Sequence, residues 1–330
     1  MTREQAVNFL LEKPYLFAHM LGFTKLTELH NGWIIDMVRG KEDKTLQAHR
    51  GSYKTTCVSI ALAIIIILMP RKKTLFMRKT DTDVKEVIKQ VQKILLDPHT
   101  LYFVQVIYGT PLRLTVSSAT EINTNLATDI KGTSQLVGIG TQASLTGKHF
   151  DCVFTDDIVN VNDRISRAER DRTKLVYQEL QNIRNRGGRI YNTGTPWSKD
   201  DAFTLMPNIE RFDCYQTGLI PPEDLEQIKA SMTASLFAAN YELRHVAEED
   251  VIFSNPRTDC DTALVEQGDC HIDAAYGGED YTAFTIVSKR NGNYYFYGRL
   301  WRKHVDDCLD EIQGLRKRFN AGRIYCEDNG

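Results

Sequence analysis

The sequence predicts an α/β fold in which a mainly parallel sheet carries helices on both faces. Short apolar segments such as Thr74–Arg78 and Leu136–Gly140 have the length of strands, and they alternate with helical segments such as residues 83–96. Alternation of this kind is typical of parallel sheets, because two parallel strands need a crossover connection. The 330 residues, 42% of them hydrophobic, are enough for about two domains.

The N-terminal segment, residues 1–30, is helical in pattern, and Pro14 divides it. A signal peptide begins with basic residues that are followed by a purely apolar stretch. The first residues of this chain are amphipathic instead, so no signal peptide is predicted. The apolar stretch at residues 57–69 is shorter than the roughly 20 residues that span a bilayer. It therefore predicts a buried helix, and the sequence predicts no membrane contact.

The composition argues against several classes of protein. The 41 basic and 43 acidic residues leave a formal net charge of −2, so any DNA contact must come from a local patch rather than an overall basic field. The 7 cysteines are spread over the chain and form no C-x-x-C pair, which argues against a zinc cluster or a disulfide framework. They are typical of reduced cysteines in an intracellular protein.

Residues 47–56 have most features of a phosphate-binding loop. Counted back from Lys54, the pattern G-x-x-x-x-G-K-[ST] expects glycine where this chain has Ala48 and Tyr53. Lys54 is nevertheless suited to the β- and γ-phosphates and Thr55 to Mg²⁺, and an apolar helix follows whose positive N-terminal end would face the phosphates. The candidate nucleotide-binding residues of the loop are Gly51, Ser52, Tyr53, Lys54, Thr55 and Thr56.

An acidic strand end lies well downstream of this loop. The apolar strand at residues 151–155 is followed by Asp156 and Asp157. In an α/β ATPase one such acid holds Mg²⁺ and another orients or deprotonates the attacking water. Alternatively, the two aspartates merely cap the next helix. The upstream Lys54 and Thr55 favour the ATPase interpretation, a P-loop NTPase of the ASCE type.

A charged helix, residues 164–185, follows the acidic strand, and a strand at 189–192 then leads into Thr193-Gly194-Thr195-Pro196. Basic residues cluster around this helix, and its acidic residues at i,i+4 spacing favour a solvated helix face over a DNA-binding surface. Phosphate contacts by unpaired members of the cluster would be weak and salt-sensitive. The cluster consists of Arg164, Arg167, Arg170, Arg172, Lys174, Arg184, Arg186 and Arg189.

Three regions are predicted along the chain. Residues 1–215 form the ATPase domain, with residues 1–30 as its N-terminal helical segment, and residues 216–268 form a helical linker or lid subdomain. From 269 to 330 the order is three strands, a helix and a strand, and Asn291-Gly292 predicts a two-residue hairpin turn. A second, smaller sheet is therefore expected.

The order of these motifs resembles that of the large terminase subunit of tailed bacteriophages, the ATPase and nuclease that packages DNA. The resemblance covers roughly residues 24 to 330 and is carried by GTQASLTGKHFDCVFTDDIV, the charged helix and GGRIYNTGTPWSKDDAF. In that family a strand ending in Gly-Thr-Pro, or a similar coupling segment, follows the acidic strand and the charged helix.

The resemblance implies ATP and Mg²⁺ as cofactors. Lys54 would neutralise the β/γ-phosphates, and Thr55 with Asp156 would hold Mg²⁺. Asp157 would set the attacking water, although the family more often has glutamate there. Arg50 occupies the place of the arginine that begins the family's irregular loop, and it would stabilise the γ-phosphate.

His30 and Thr195 are further candidates for the nucleotide site by the same resemblance. Residues 29–33 fall where the family carries an aromatic residue and a glutamine that contact adenine. His30 would stand in for the glutamine and Trp33 could form an apolar wall, while a capping histidine and a core tryptophan are the alternative. Thr195 belongs to the Gly-Thr-Pro segment.

Residues 269–330 resemble the start of a ribonuclease H-like nuclease. Asp273 lies in an apolar strand, where a buried carboxylate is costly without a partner or a metal ion. By the resemblance, the central strand presents Asp273 to two metal ions and Glu327 supplies the second acid, while Asp280 is either an auxiliary ligand or a turn aspartate. Such carboxylates can hold two Mg²⁺ or Mn²⁺ ions that support the attack of water on a phosphodiester.

The resemblance also implies the setting in which the protein works. The family's third nuclease acid is expected beyond Gly330, so the 330 residues would be a fragment with a truncated nuclease domain. The expected partners are double-stranded viral DNA, the small terminase subunit and the portal protein of the procapsid. A homo-oligomeric ring on the portal, in the host cytoplasm, is the expected assembly.

Two alternatives remain open. One is a helicase-like nucleic-acid translocase ATPase of the same superfamily, although no second motor domain is predicted and the acids at 273 and 327 would have no role. The other is a structural docking subunit whose phosphate loop has decayed, which Ala48, Tyr53 and Asp157 favour.

Overall fold

The structure is a computed structural model that describes residues 1–130, 132–143, 147–244, 257, 260–276 and 281–326. The chain divides into two compact units, Met1–Asp250 and Val251–Gly330. The described α-helices of the region expected to be a linker belong to the first unit. Among the described residues, none of the helices has the length and apolar composition that crossing a bilayer requires.

The first unit alternates helices and strands, as predicted. Its helices are α1 (Arg3–Glu12), α2 (Pro14–Met20), α3 (Glu28–Arg39), α4 (Lys54–Leu68), α5 (Asp81–Leu96), α6 (Pro98–Tyr108), α7 (Val161–Ile165), α8 (Arg167–Ile183), α9 (Cys214–Thr217), α10 (Pro222–Ala230) and α11 (Ala234–Asn240). Its strands are β1 (Lys44–Ala48), β2 (Thr74–Arg78), β3 (Leu114–Ser117), β4 (Glu121–Thr124), β5 (Leu136–Gly140), β6 (Phe150–Asp156), β7 (Arg184–Gly194) and β8 (Ile209–Phe212).

Local sequence signals set many of these boundaries. Pro14 is the first residue of α2, where its missing N–H is not needed, so the predicted break after α1 is confirmed. The side chain of Thr80 caps α5, and Asp97 caps α6, which has Pro98 as its first residue. The charged helix ends at Ile183, and β7 begins at once, so this strand is longer than its apolar part predicts.

The predicted parallel sheet is confirmed. Among the described residues the strand order is β3-β4-β5-β2-β6-β7-β1-β8. All pairs from β5 to β8 are parallel, whereas β3 and β4 add an antiparallel edge. β7 lies between β1, the strand that precedes the predicted phosphate loop, and the acidic strand β6.

Helices cover both faces of this sheet, as the alternation of side chains requires. Phe76 and Phe154 face a core that includes α4 and α5, whereas their neighbours Leu75 and Val153 face a second core with α8. α4 is buried on nearly all sides, because it lies between the sheet and other helices. The predicted buried helix is therefore confirmed, and it begins at Lys54 itself.

The second unit forms a smaller sheet. Its described strands and α-helix are β9 (Asp269–Asp273), β10 (Thr282–Arg290), β11 (Asn293–Trp301), α12 (Leu309–Arg318) and β12 (Ile324–Cys326). The order is β11-β10-β9-β12, with β12 parallel to β9 and the other pairs antiparallel. Asn291 and Gly292 have φ values of 49° and 81°, which confirms the predicted hairpin turn.

Candidate active site

A cleft of about 460 Å³ lies at the C-terminal ends of the parallel strands in the first unit, where ligands of open α/β sheets usually bind. The phosphate-loop candidates and Asp157 both line this cleft, so the structure brings together residues that are far apart in the sequence. The lining residues are Arg50, Gly51, Ser52, Tyr53, Lys54, Thr55, Thr56, Asp157, Val159, Asn160, Thr195, Trp197 and Asn240.

Tyr53 precedes α4 in a left-handed conformation, with φ 61° and ψ 20°. This is the backbone region that glycine enters without cost, and glycine is the residue that the pattern expects at this position. The aromatic ring turns towards α3, where its centroid lies 5.9 Å from that of the His30 ring in an edge-to-face arrangement. Position 53 therefore has a backbone conformation that glycine favours, and Tyr53 bears the backbone strain.

His30 supports the loop from beneath. Its Nδ1 accepts a hydrogen bond from the backbone N–H of Thr27 at 2.9 Å, so Nε2 carries the proton and donates to the carbonyl of Ser52 at 3.2 Å. Burial lowers the pKa of His30, which favours this neutral form. The side chain is fully buried, against Trp33, and His30 does not line the cleft that holds the loop candidates.

His49 holds the other side of the loop. Its Nδ1 donates to the carbonyl of Arg50 at 2.9 Å, so its Nε2 accepts from the hydroxyl of Thr217 at 2.7 Å. Burial lowers the pKa of this histidine as well. The N–H of Arg50 donates to the carbonyl of Asn240 at 2.8 Å, which ties the loop to α11. Sequence patterns missed these contacts, because α9 and α11 are remote in the chain.

Lys54 lies at the floor of the loop, with 7% of its surface exposed. Its Nζ donates to the carbonyls of Ala48 and His49 at 2.7 and 3.1 Å. The hydroxyl of Ser52 is also buried, and no described residue hydrogen-bonds to it. Such an unsatisfied group next to a lysine at a helix N-terminus is suited to an anionic ligand.

The acidic strand meets the loop through Asp156. The hydroxyl of Thr55 donates to Asp156 Oδ2 at 2.8 Å, and the hydroxyl of Thr193 donates to Oδ1 at 2.6 Å. Asp156 is fully buried, and these donors together with a nearby cation offset the cost of burying its carboxylate. Thr193 belongs to the segment that the sequence analysis identified as a coupling segment.

The nearby cation is Arg78, which the sequence analysis missed. Its Nε lies 3.2 Å from Asp156 Oδ2, and its Nη2 lies 3.5 Å from Asp157 Oδ2. Arg78 is the last residue of β2, the strand next to β6. It follows four strand residues that are apolar or carry a hydroxyl group. A charge at the end of a buried parallel strand was the available signal, because such ends meet at one edge of the sheet.

Asp157 has φ 48°, which is unusual for a residue with a side chain, and its N–H donates to the carbonyl of Thr193 at 3.0 Å. Burial and the neighbouring Asp156 raise the pKa of Asp157, while Lys54, Arg78 and Arg50 oppose this rise. Strain and a raised pKa in a cleft are typical of functional carboxylates.

Gly194 lies close to this carboxylate. A Cβ atom at position 194 would lie 2.8 Å from the ring of Phe203 and 3.4 Å from Asp157 Oδ1. The glycine of the Gly-Thr-Pro segment is therefore required by close packing beside the acid. Thr195, one residue later, lines the cleft.

Asp273 belongs to the second unit and is the last residue of β9, which pairs with β10 on one side and β12 on the other. Its side chain is exposed, so the expectation of a buried carboxylate was wrong, because the face of β9 that carries Asp273 has no core against it among the described residues. Asp280 and Glu327 lie outside the described residues. Within the described part, no cluster of three or more His, Cys, Asp or Glu side chains could hold a metal ion.

The basic residues around α8 are mostly engaged within the protein. Arg184 pairs with Asp43, and Lys174 with Asp200, both at 2.5 Å. Arg170 donates to the carbonyls of Asp163 and Arg164 at the end of α7. The remaining contacts are Arg167 with Asp171, Arg172 with Glu169, Arg164 with Ser235, and Arg189 with Asp36. These contacts favour a helix face engaged within the protein over a DNA-binding surface, and of the expected i,i+4 pairs Arg167 with Asp171 is present.

No family model matches the sequence, and neither does any curated protein. The large terminase of a thermophilic bacteriophage, solved in complex with ADP, is a similar structure, with 11% identity over 89% of this chain and 76% of that chain and a TM-score of 0.43. The ATPase domain of the Thermus phage P74-26 large terminase matches 64% of this chain and 92% of its own, with 11% identity and a TM-score of 0.46. The large terminase of bacteriophage HK97 matches 99% of this chain and 74% of its own, with 11% identity and a TM-score of 0.47. At these identities and scores the likenesses carry no argument about function.

Proposed function

We propose that this chain contains the ATP-hydrolysing motor of a large terminase subunit, which translocates double-stranded viral DNA into a procapsid. The observation that carries the proposal is the convergence of Lys54, Thr55 and Asp157 on one cleft, with Asp156 bonded to Thr55 directly behind it. These are the groups that phosphoryl transfer requires, since its catalysis is mainly positioning and charge stabilisation.

The loop would bind the phosphates of ATP. Lys54 supplies a positive charge at the N-terminus of α4, and the free backbone N–H groups of that helix end attract anions. The buried hydroxyl of Ser52 adds a donor without a described partner. The left-handed conformation of Tyr53 supports this role, because it is a conformation that the expected glycine would readily adopt.

Mg²⁺ would be held by Thr55 and Asp156. Their oxygen atoms, Oγ1 and Oδ2, are 2.8 Å apart, and Mg²⁺ takes oxygen ligands from one or two side chains together with substrate phosphates and water. When bound, the ion would neutralise charge on the β- and γ-phosphates. The residues present therefore fit the ion that the resemblance implies.

Asp157 would orient the attacking water from the floor of the cleft, and Arg50 would stabilise the γ-phosphate from its rim. Arg50 lines the same cleft and is exposed, which suits a residue that contacts a bound ligand. The aspartate is one methylene shorter than glutamate. Its left-handed backbone and the packing of Gly194 against Phe203 bring the carboxylate into the cleft.

The nucleoside would lie in a second cleft of about 460 Å³ that shares Gly51 and Tyr53 with the first. Its wall includes the apolar residues Leu219, Ile220 and Pro221. This cleft suits a nucleobase better than the buried edge of His30 does, so we assign His30 and Trp33 to the support of the loop. Thr195 would contact the phosphate side.

The second unit would belong to a metal-dependent DNA endonuclease that cuts the concatemer. Asp273 ends the strand at the centre of its sheet, in the place where a ribonuclease H-like nuclease presents an acid. Cys326 pairs with Ile272, the residue before Asp273, and Glu327 is the next residue of the chain. We propose Asp273 and Glu327, with Asp280 as auxiliary, as ligands of two Mg²⁺ or Mn²⁺ ions.

The proposed partners are double-stranded viral DNA, the small terminase subunit and the portal protein, with several copies of this chain forming a ring on the portal in the host cytoplasm. Because most basic side chains around α8 are engaged in contacts within the protein, DNA binding by that helix would be weak and sensitive to salt.

Lys54→Ala tests the motor. It should abolish DNA-stimulated ATP hydrolysis and weaken the binding of Mg²⁺-ATP, measured by phosphate release and calorimetry, while the thermal unfolding curve stays cooperative. Lys72→Ala is the matched control, because Lys72 is an exposed lysine outside the cleft. Turnover retained in Lys54→Ala would exclude the assignment, and a wild-type protein that does not bind Mg²⁺-ATP would favour the docking subunit.

A further inference from the structure

Arg78 is a cation beside Asp156 and Asp157 that no phosphate-loop pattern includes. It is the last residue of β2, and the register of β2 with β6 pairs Met77 with Thr155, so the next residues along are Arg78 and Asp156. The side chain is 16% exposed. The guanidinium is therefore fixed by the sheet at the level of the two acids.

One guanidinium serves both carboxylates. Its Nε lies 3.2 Å from Asp156, and its Nη2 lies 3.5 Å from Asp157. The contact with Asp156 is an ion pair without a hydrogen bond from Nε, and the hydrogen bonds to Asp156 come from the hydroxyls of Thr55 and Thr193. For Asp157, Arg78 is the side chain within hydrogen-bond distance in the described part of the chain. The position of the Asp157 carboxylate thus depends on Arg78 far more than that of Asp156 does.

The residue after Arg78 holds the other end of the same segment. Lys79 Nζ donates to Asp163 Oδ2 at 2.9 Å and to the hydroxyl of Thr173 at 2.7 Å. Val159 and Asn160, which line the cleft, lie between the two attachment points. Two consecutive residues at the end of β2 therefore hold residues 157–163 against the edge of the sheet.

We propose that Arg78 is a positioning residue that holds the Asp157 carboxylate in the cleft for the orientation of the attacking water. This role rests on the proposed ATP hydrolysis. It differs from the role of Arg50, which lies on the exposed rim, because Arg78 acts on the protein's own acid rather than on the nucleotide. Without the Arg78 side chain, Asp157 would keep its strained backbone conformation. Its carboxylate would lose the cation that lies within hydrogen-bond distance of it.

Arg78→Gln should lower kcat by about 10²-fold, the order of loss that a displacement of about 1 Å produces, while KM and the affinity for Mg²⁺-ADP stay nearly unchanged. Arg78→Lys should recover part of kcat, because it restores the charge but not the fork. In Arg78→Ala, added guanidinium ion should restore part of the activity, whereas methylammonium should restore less. A merely structural arginine would not give this rescue.

Lys73→Met is the matched control. Lys73 precedes the opposite end of the same strand, is 2% exposed and forms an ion pair with Asp129 at 3.0 Å. Its loss should lower the midpoint of thermal unfolding without lowering kcat at temperatures where the protein is folded. A loss of kcat in Arg78→Gln that is absent in Lys73→Met would show that Arg78 acts by positioning rather than through the stability of the fold.

Three results would overturn the role of Arg78. These are an unchanged kcat in Arg78→Gln, a rise in KM that accounts for the whole loss, and an equal loss of kcat in Lys73→Met. If Arg78→Gln does not fold, Arg78→Lys and the guanidinium rescue decide the question. A wild-type protein that binds but does not hydrolyse ATP would refute the proposed function itself, and the role of Arg78 with it.

Discussion

Two strand ends, one in each unit, carry acids in different surroundings. Asp156 at the end of β6 is fully buried, accepts hydrogen bonds from Thr55 and Thr193, and pairs with Arg78. Asp273 at the end of β9 is exposed, and no residue of the described part hydrogen-bonds to or ion-pairs with its carboxylate. The fold holds the first acid in place before any ligand binds. For the second acid the sheet fixes the backbone, but no contact in the described part fixes the side chain. Bound ligands or further acids would have to orient its carboxylate.

The two acids should have reciprocal effects on activity, and this is the largest expected difference. Asp156→Ala should abolish ATP hydrolysis, because the acid proposed to hold Mg²⁺ is lost, and should leave DNA cleavage intact. Asp273→Ala should abolish metal-dependent cleavage and leave ATP hydrolysis unchanged. Phosphate release and a plasmid-cutting assay measure the two activities, with the exposed Asp310→Ala as control.

If Asp273→Ala left cleavage unaffected, the second half of the comparison would be wrong. If both variants lost both activities, the two sites would depend on each other, and the acids could not be treated separately.

The same variants should differ in their effect on stability. Asp156→Ala removes the acceptor of two hydroxyls and a partner of a mostly buried arginine, so we expect a loss of about 3–5 kcal/mol in the free energy of unfolding. Asp273→Ala removes an exposed side chain and should change this free energy by less than about 0.5 kcal/mol. Urea unfolding checks both values. Equal losses would mean that Asp273 has structural contacts of its own.

Substitutions at Tyr53 can measure the backbone strain of the first site. Tyr53→Ala keeps a side chain in the left-handed region and loses the contact with His30, whereas Tyr53→Gly loses the same contact but relieves the backbone. The glycine variant should therefore be the more stable of the two, by about 1–2 kcal/mol. The comparison of alanine with glycine isolates the backbone term in urea unfolding. An alanine variant as stable as the glycine variant would show that the loop relaxes.

The smallest expected effect is a dependence on pH. Burial lowers the pKa of His30 in the folded state, so below about pH 6.5 the unfolded chain binds the proton first and stability falls with acidification. His30→Gln should lower the acid sensitivity of unfolding, measured as the difference in free energy between neutral pH and about pH 5.5. His49 should contribute with the same sign. A variant with unchanged acid sensitivity would contradict the assignment of His30 as a neutral support.

The sequence predicted backbone features better than contacts between remote segments. Strand β2 and helix α4 follow from apolar runs, and the turn at Asn291-Gly292 follows from residue types that accept positive φ. The closeness of Thr55 and Asp156 was anticipated, because both were predicted to hold the same Mg²⁺ ion, whereas the hydrogen bond between them was not. Arg78 was missed, because its role depends on which strand lies next to β6.

Two other expectations depended on burial, which a local pattern cannot measure. For His30 the sequence left open a contact with adenine or a capping role, and in the structure His30 hydrogen-bonds to the N-cap residue Thr27 and to Ser52. Asp273 was expected to be buried because its neighbours are apolar, yet its side chain points away from the core that they form. The tyrosine at position 53 could be judged only once its φ was known.

The all-round burial of α4 has a mechanical consequence. Nearly every residue of the helix is buried, so it has no solvent-exposed face along which it could shift. Its C-terminal carbonyls at Ile66 and Ile67 accept hydrogen bonds from Gln135 and Tyr108, respectively. It should therefore move as a stiff rod, and any adjustment to a ligand must occur in the short loop before Lys54. In hydrogen exchange, the amides of α4 should open only with the whole unit, whereas those of residues 50–53 should exchange by local fluctuations.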